Sequence, residues 1–125
     1  MLRYLLDEHI SPAVAEGVQR KDSRIRIASV HRWRNREFTG SRDAELLSAA
    51  DTERLTLVTY DLRTIPGLLR SWAELEKAHS GVIFVRRRVI AENDVGRLVL
   101  ALVELWRVAR KIDWRNRVAF LPGGK

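Results

Sequence analysis

The chain has 125 residues, enough for one domain with its own core, and we expect a single domain over residues 1–125. It contains no cysteine, which excludes a disulfide framework, a thiol nucleophile and a zinc ribbon. The net charge of +7 comes almost entirely from arginine, whose guanidinium matches phosphate oxygens, so it fits a nucleic-acid or acidic partner as well as a solvated basic face.

The predicted elements alternate between short apolar strands and longer amphipathic helices. Ser11 and Pro12 mark the start of the first helix, as its N-cap and its first residue. This alternation indicates an α/β fold, a three-layer α/β/α sandwich around a mainly parallel five-stranded sheet. In chain order we expect a strand at Arg3 to Leu6, the helix from Pro12 through Val18, a strand at Ile25 to Val30, a helix at Arg42 to Thr52, a strand at Thr56 to Thr59, a helix at Pro66 to Ala78, a strand at Val82 to Val85, a helix within Asn93 to Lys111 and a strand at Val118 to Leu121.

Acidic residues lie where the first and third predicted strands end and where the second predicted helix begins. Because the carboxyl ends of parallel strands meet at one edge of a sheet, we expect these carboxylates to converge there. Clustered carboxylates repel one another, and hard oxygen ligands favour Mg²⁺ or Mn²⁺. Such an ion would activate water for phosphodiester hydrolysis. The acids are Asp7 and Glu8 in LLDEHIS, Asp43 and Glu45 in RDAELL, and Asp61 in LVTYDLRT.

Three of these acids also have a structural explanation. The dipole of the second predicted helix would stabilise Asp43 and Glu45 in its first turn, and Asp61 would accept backbone N–H groups at a strand-to-helix turn. Asp7 lacks such a role because Ser11 caps the next helix. Adjacent residues of an extended chain point to opposite faces, so we predict that Asp7 is the metal ligand of the two. Glu8 would support a ligand, pair with an arginine or contribute through the turn.

Four segments, LLDEHIS, GSRDAELL, LVTYDLRT and GVIFVRR, resemble in order and spacing the compact bacterial PIN-like proteins, which are related to the PIN-domain nucleases. The resemblance runs from Leu5 to about Leu105. It implies a PIN-like domain that cuts single-stranded RNA with Mg²⁺ or Mn²⁺, and many such nucleases are toxins of toxin–antitoxin pairs. At matching positions, the catalytic and metal-binding acids are Asp7, Asp61 and either Asp43 or Glu45.

Two positions depart from the family pattern. Many relatives have Asn after the first acid pair, where this chain has His9. Relatives often read Asp-x-Asp-Phe where this chain has Asp61-Leu62-Arg63-Thr64, so Arg63 places a cation where a further acid would stand. Glu8, Glu45 and His9 are accessory candidates, Glu8 as a partner for an arginine and His9 as a bridging, capping or phosphate-positioning group.

The tetrapeptide WRNR occurs twice, from Trp33 and again from Trp114. Aromatic planes interleaved with guanidinium groups provide base stacking and phosphate contacts, which suit single-stranded nucleic acid. We predict nucleic-acid contacts for Trp33, Arg34 and Arg36, and packing on the core or on a dimer surface for Trp114.

The segment VRRR follows the fourth predicted strand and carries Arg86, Arg87 and Arg88 to the same edge as the acids. Together with Arg63, these arginines would bind substrate phosphates. They would equally bind an acidic segment of an antitoxin protein.

Two other functions fit parts of the same pattern. A non-catalytic module that binds nucleic acid or protein would keep the fold and lose part of the acid set at Arg63. A phosphoacceptor receiver domain also has an acid pair after strand one, an Asp after strand three and Mg²⁺. That chemistry needs a hydroxyl after strand four and a lysine after the last strand, where this chain has Arg86 and only the terminal Lys125. The nuclease is therefore the predicted function.

No uncharged stretch approaches the roughly 18 residues that a membrane-spanning helix needs, and the start MLRYLLDEHISP lacks the pattern of a secretory leader. We expect a cytoplasmic protein with no membrane segment. Its expected partners are RNA, an acidic antitoxin protein and a second copy of the chain.

Overall fold

The computed structural model describes residues 1–33 and 43–122. The elements follow the predicted order, and the α/β class is confirmed. They are β1 (Tyr4–Leu6), α1 (Pro12–Lys21), β2 (Ile27–Ser29), α2 (Asp43–Thr52), β3 (Thr56–Thr59), α3 (Ile65–Glu74), β4 (Val82–Val85), α4 (Val95–Ala109) and β5 (Val118–Leu121). No helix in these two ranges is both long enough and apolar enough to cross a membrane.

The five strands form one sheet in the order β2-β1-β3-β4-β5, and every neighbouring pair is parallel. Helices α1 and α4 pack on one face and α2 and α3 on the other, which confirms the three-layer sandwich. The chain runs from β1 to β2 on one side and returns to β3 on the other. In such sheets the crevice at the carboxyl ends of the strands where the order reverses, here β1 and β3, is the usual ligand site.

The face with α1 and α4 holds the larger core cluster. Gly17 lets the two helices approach closely, since a Cβ at this position would lie 2.7 Å from Cγ2 of Val99. The buried hydroxyl of Tyr4 donates to the carbonyl of Leu102 over 2.7 Å. The indole N–H of Trp106 donates to the carbonyl of Leu2 over 3.2 Å. These bonds attach the start of the chain to the last helix.

The opposite face is covered by buried residues of α2 and α3, including Leu46, Leu47 and Trp72. Helix α3 ends at Glu74, four residues before the predicted end, because Glu76 takes a left-handed conformation with φ of 55°. The N–H groups of Glu76 and Lys77 then bond to the carbonyls of Ala73 and Trp72, a Schellman ending.

Other element ends differ from the predictions by one to three residues. Strand β2 is shorter than predicted, yet hydrogen bonds from the N–H of Tyr4 to Arg26 and from that of Val30 to Leu6 continue its pairing with β1. Helix α4 begins after Asp94, whose side chain accepts the N–H of Arg97. The predicted first residue of α2, Arg42, lies outside the described residues.

One row of residues crosses the sheet at its carboxyl edge. Thr59 of β3 is in register with Phe84 of β4, and Phe84 is in register with Phe120 of β5. The pair Leu6 and Val58 places Asp7 beside Thr59 one step later. Residues in register across parallel strands share a face, so this row, which we name the carboxyl row, lies on the face that α2 and α3 cover. It comprises Asp7, Thr59, Phe84 and Phe120.

Candidate functional site

Three acids from separate segments reach the crevice between the ends of β1 and β3. Asp7 directly follows β1, Asp61 lies two residues after β3, and Asp43 is the first residue of α2. All three were predicted to meet at this edge. Their convergence follows from the strand order, because β1 and β3 are neighbours although about fifty residues of chain separate them.

Asp7 is held by hydrogen bonds at both carboxylate oxygens. It is only 7% exposed. The hydroxyl of Thr59 donates to Oδ2 over 2.6 Å, and the backbone N–H of Glu8 donates to Oδ1 over 2.8 Å. Each carboxylate oxygen has a second lone pair, so Asp7 keeps the capacity to accept a further contact in a fixed orientation.

Asp61 has the structural role that its position suggested. Its Oδ1 accepts the backbone N–H of Arg63 over 2.9 Å and that of Thr64 over 2.8 Å, just before α3 begins. Its own N–H donates to the hydroxyl of Thr59 over 3.0 Å. These bonds use one carboxylate oxygen and leave the other side of Asp61 directed to a different partner.

That partner is Asp43, and the interaction between the two carboxyl groups raises the pKa of Asp43 and lowers that of Asp61. Partial burial raises the pKa of Asp43 to about 6, and the charges of Asp61 and Asp7 act in the same direction, while His9 opposes them. Partial burial also disfavours the charged form of Asp61, but the N–H groups of Thr64 and Arg63 and the interaction with Asp43 outweigh it, so the pKa of Asp61 lies below its usual value. Asp43 is therefore the member of the pair that takes up a proton first as the pH falls.

This arrangement fits a hydrated divalent cation better than a cage made of protein ligands alone. Among residues 1–33 and 43–122, no three His, Asp or Glu side chains lie close enough together to hold a metal ion jointly. Mg²⁺ is usually held by one or two carboxylates together with waters and substrate phosphates. The Asp43–Asp61 pair supplies two carboxylates, and an ion between them would relieve the repulsion that raises the pKa of Asp43.

The accessory candidates lie around these acids. Glu8 is half-buried, and its carbonyl accepts the Nε2–H of His31, which ties the segment after β1 to the segment after β2. His9 is exposed and close enough to Asp43 to affect its pKa. Glu45 is exposed on α2 and does not contribute to the shifts of Asp43 or Asp61. Of the two helix acids, Asp43 is thus the one beside Asp61.

The three arginines after β4 have different environments. The Arg86 guanidinium lies over the ring of Phe120, with Cζ 4.1 Å from the ring centroid. Arg87 is paired with Glu92, since Nε and Nη2 lie 2.6 and 2.5 Å from the same carboxylate oxygen. Arg88 is exposed and makes no hydrogen bond, ion pair or ring contact within the described part of the chain.

The other predicted nucleic-acid contacts are only partly described. Arg63 is exposed, and its backbone N–H bonds to Asp61. Trp33 is half-buried and packs against the core cluster under α2 and α3. The predictions for Arg34 and Arg36 lie outside the described residues. Trp114 is buried, and its indole N–H donates to the carbonyl of Ala109 over 3.0 Å, which confirms its packing on the core.

Comparison of the chain with protein family models, with curated proteins and with solved structures found no match. The resemblance to the PIN-like proteins therefore stays a prediction. The function has to be argued from the site alone.

Two residues of the site were not predicted. Thr59 bonds to both Asp7 and the backbone of Asp61, and Phe120 carries the Arg86 guanidinium. A hydroxyl at the last position of the strand, two residues before an acid, is the sequence signal that marks Thr59. Phe120 has no comparable signal, because its proximity to Arg86 depends on the order and register of β4 and β5.

Proposed function

We propose that the chain is a Mg²⁺- or Mn²⁺-dependent endoribonuclease that hydrolyses phosphodiester bonds of single-stranded RNA in the cytoplasm. The main support is the arrangement of Asp7, Asp43 and Asp61 beside the β1–β3 crevice. The carboxyl group of Asp43 interacts with those of Asp61 and Asp7 strongly enough to affect its pKa. Sheets of this order serve many functions, so the proposal depends on the site and not on the fold.

The proposed chemistry divides the work between the acids. A bound divalent cation would polarise the phosphodiester and lower the pKa of a water molecule. Asp43 and Asp61 would hold the ion directly, together with waters and a substrate phosphate. Asp7, fixed by Thr59, would bind the same ion through one of these waters and orient that water for attack. The water oxygen bonds to phosphorus as the bond from phosphorus to the leaving ribose oxygen breaks. One water proton is released, and the leaving oxygen takes up a proton.

The test is cleavage of a labelled single-stranded RNA oligonucleotide by the purified chain with Mg²⁺ or Mn²⁺, with EDTA as the blank. Asp7→Asn, Asp43→Asn and Asp61→Asn should each lower the rate by about 100-fold or more, since even residues that only support a metal ligand contribute about 10- to 100-fold. Glu45→Gln is the matched control on the same helix and should keep the wild-type rate. If the wild-type chain cleaves no RNA and Asp7→Asn abolishes no Mn²⁺ binding, the enzyme proposal is wrong.

One observation favours a second candidate, a non-catalytic module that binds RNA or protein. No group of three acids in the described residues is close enough together to hold a metal, and Arg63, two residues after Asp61, is a cation where the related nucleases carry an acid. This candidate predicts RNA affinity that falls steeply with salt and does not depend on Mg²⁺ or Mn²⁺. Cleavage in the assay above decides between the two.

A role as a toxin is a separate part of the proposal. It predicts a small acidic partner, because the exposed arginines at the carboxyl edge suit an acidic segment. Co-expression of the chain with its neighbouring open reading frames, followed by purification, should recover such a protein. Recovery of the chain alone would count against the toxin role and would leave the nuclease proposal in place.

A further inference from the structure

The carboxyl row connects the acids to an aromatic and cationic surface at the other side of the sheet. Asp7 and Phe120 are its two ends, with Thr59 and Phe84 between them. They are three strand spacings apart, about 14 Å. A single strand bound at the acids therefore needs only a short extension across β4 to reach β5.

The far end of this row has a layered structure. Phe84 is buried, and its ring centroid lies 5.4 Å from that of Phe120. Arg86 lies over Phe120 at 4.1 Å and is itself exposed. One face of the guanidinium therefore contacts an aromatic ring supported by the core, and the side chain faces solvent beyond it. A nucleobase stacks on a guanidinium plane held in this way.

The two arginines beside this stack, Arg87 and Arg88, differ in whether their charge is already paired. Glu92 neutralises Arg87, which also lies over the ring of Tyr60 with Cζ 5.4 Å from the centroid. Arg88 carries a charge with no partner among the described residues. A phosphate would therefore meet Arg88 without displacing an existing ion pair, whereas binding to Arg87 would require loss of its pair with Glu92.

We propose that Arg86, stacked on Phe120, binds a base and that Arg88 binds a phosphate of the single-stranded RNA that extends from the acids towards β5, while Arg87 makes no contact with it. The identity of the ligand rests on the proposed function. An acidic peptide would pair with the charges of Arg86 and Arg88, but its carboxylates would not stack on the Arg86 guanidinium. The stack therefore favours RNA over a protein segment.

The experiment measures binding of a labelled oligouridine to the full chain in EDTA, by fluorescence anisotropy over a range of salt concentrations. Arg88→Gln should weaken binding and reduce the slope of log K against log salt by about 0.7, the value for one phosphate contact on a single strand. Arg86→Lys keeps the charge but loses the plane. It should keep the slope and weaken binding by about fivefold or more, since stacking of one base is worth about 1 kcal/mol or more.

Two controls carry the same loss of charge. Arg87→Gln removes an arginine next to the site, and Arg3→Gln removes an exposed arginine that precedes β1 at the opposite edge of the sheet. Both should bind close to wild type. Phe120→Leu should reproduce the effect of Arg86→Lys, and circular dichroism checks that each variant is folded. If Phe120→Leu fails to fold, Arg86→Lys alone decides the stacking part.

Equal losses for Arg3→Gln, Arg87→Gln and Arg88→Gln would mean that net charge alone binds RNA, which overturns the proposal. A second result would also overturn the proposal. If an oligoglutamate of the same charge competes as well as unlabelled oligouridine, and the variants weaken both competitors equally, the surface binds an acidic protein. The assay contains no divalent cation, so an absence of cleavage does not affect it. If the Arg86 and Arg88 variants bind RNA like the wild type, this inference is wrong, and the proposal for the acid site is unaffected.

Discussion

The hydroxyl of Thr59 donates a 2.6 Å hydrogen bond to Oδ2 of Asp7, although 52 positions separate the two residues. The same hydroxyl accepts the N–H of Asp61 over 3.0 Å. Thr59 therefore fixes the side chain of one candidate ligand and the backbone of another. It joins the ends of β1 and β3 at the point where a metal would bind.

Replacing Thr59 by Val removes the hydroxyl and keeps the shape of the side chain. We expect Mn²⁺ affinity to fall by about 10-fold, the lower end of the loss seen when support for a metal ligand is removed. Titration calorimetry with Mn²⁺ measures it. Thr59→Ser keeps the hydroxyl and should retain most of the affinity. Equal affinity for the Val variant and the wild type would mean that Thr59 does not position Asp7.

Asp43→Asn should stabilise the chain at neutral pH. In the folded chain the pKa of Asp43 is raised to about 6, first by burial and then by Asp61 and Asp7. The folded state thus favours the protonated form, and this contribution is complete below the ordinary carboxyl pKa and is lost as pH rises through about 6. Asn cannot ionise, so we expect it to raise the free energy of unfolding at pH 7 by about 1 kcal/mol, allowing for solvent screening of a half-buried group. Urea unfolding from pH 3 to 7 measures the difference, which should become small at the acid end.

Asp22→Asn is the control of opposite sign. Hydrogen bonds from the Arg24 side chain lower the pKa of Asp22 to about 2. Its contribution to stability is present above the ordinary carboxyl pKa and is lost as pH falls through about 2. The Asn variant should therefore be less stable than wild type at pH 7. The same direction of change for both variants would contradict the raised pKa of Asp43.

Arg63→Gln should change the affinities for Mn²⁺ and for RNA in opposite directions. The exposed guanidinium repels a cation held beside Asp61 and attracts a phosphate. Its removal should tighten Mn²⁺ binding by about two- to threefold, because repulsion from a unit charge contributes on the order of 0.5 kcal/mol at a solvated site. RNA affinity in EDTA should fall. A change of the same sign in both measurements would show that Arg63 acts through the fold and not through its charge.

Two glycine substitutions test the packing of α1 against α4. Gly17→Ala would place a methyl group 2.7 Å from Val99, whose branched side chain adjusts poorly. We expect a net loss of about 1 kcal/mol in the free energy of unfolding, because the clash exceeds the gain in helix propensity. Gly67→Ala in α3 meets nothing within 4 Å and should instead gain about 0.5 to 1 kcal/mol. Urea unfolding of both variants measures the contrast, and a stabilised Gly17→Ala would contradict it.

The sequence predicted the layers because apolar runs of strand length alternate with segments of helical period. The end of α3 was wrong because glycine usually marks a left-handed helix ending and here Glu76 provides it. The residues around Glu76 contain no sequence signal for this left-handed conformation. The hydrogen bonds of Lys77 and Glu76 to the preceding turn offset the strain of the conformation.

The candidate site was predictable as far as it depends on strand ends. Asp7 and Asp61 could be assigned to one edge from parallel pairing alone. The choice of Asp43 over Glu45, and the pairing of Arg87 with Glu92, depend on the orientation of helices and loops in space. A contact between distant segments requires the strand order and register, which composition and spacing do not specify.

The bonds from Tyr4 to Leu102 and from Trp106 to Leu2 have a consequence for synthesis of the chain. The first strand lies inside the sheet, yet its partners in α4 are synthesised later, since the two bonds join residues 98 and 104 positions apart. Until α4 leaves the ribosome, β1 exposes apolar surface of the kind that chaperones bind. Nascent chains stalled before residue 102 should therefore be protease-sensitive throughout, and resistance should arise abruptly once α4 has emerged.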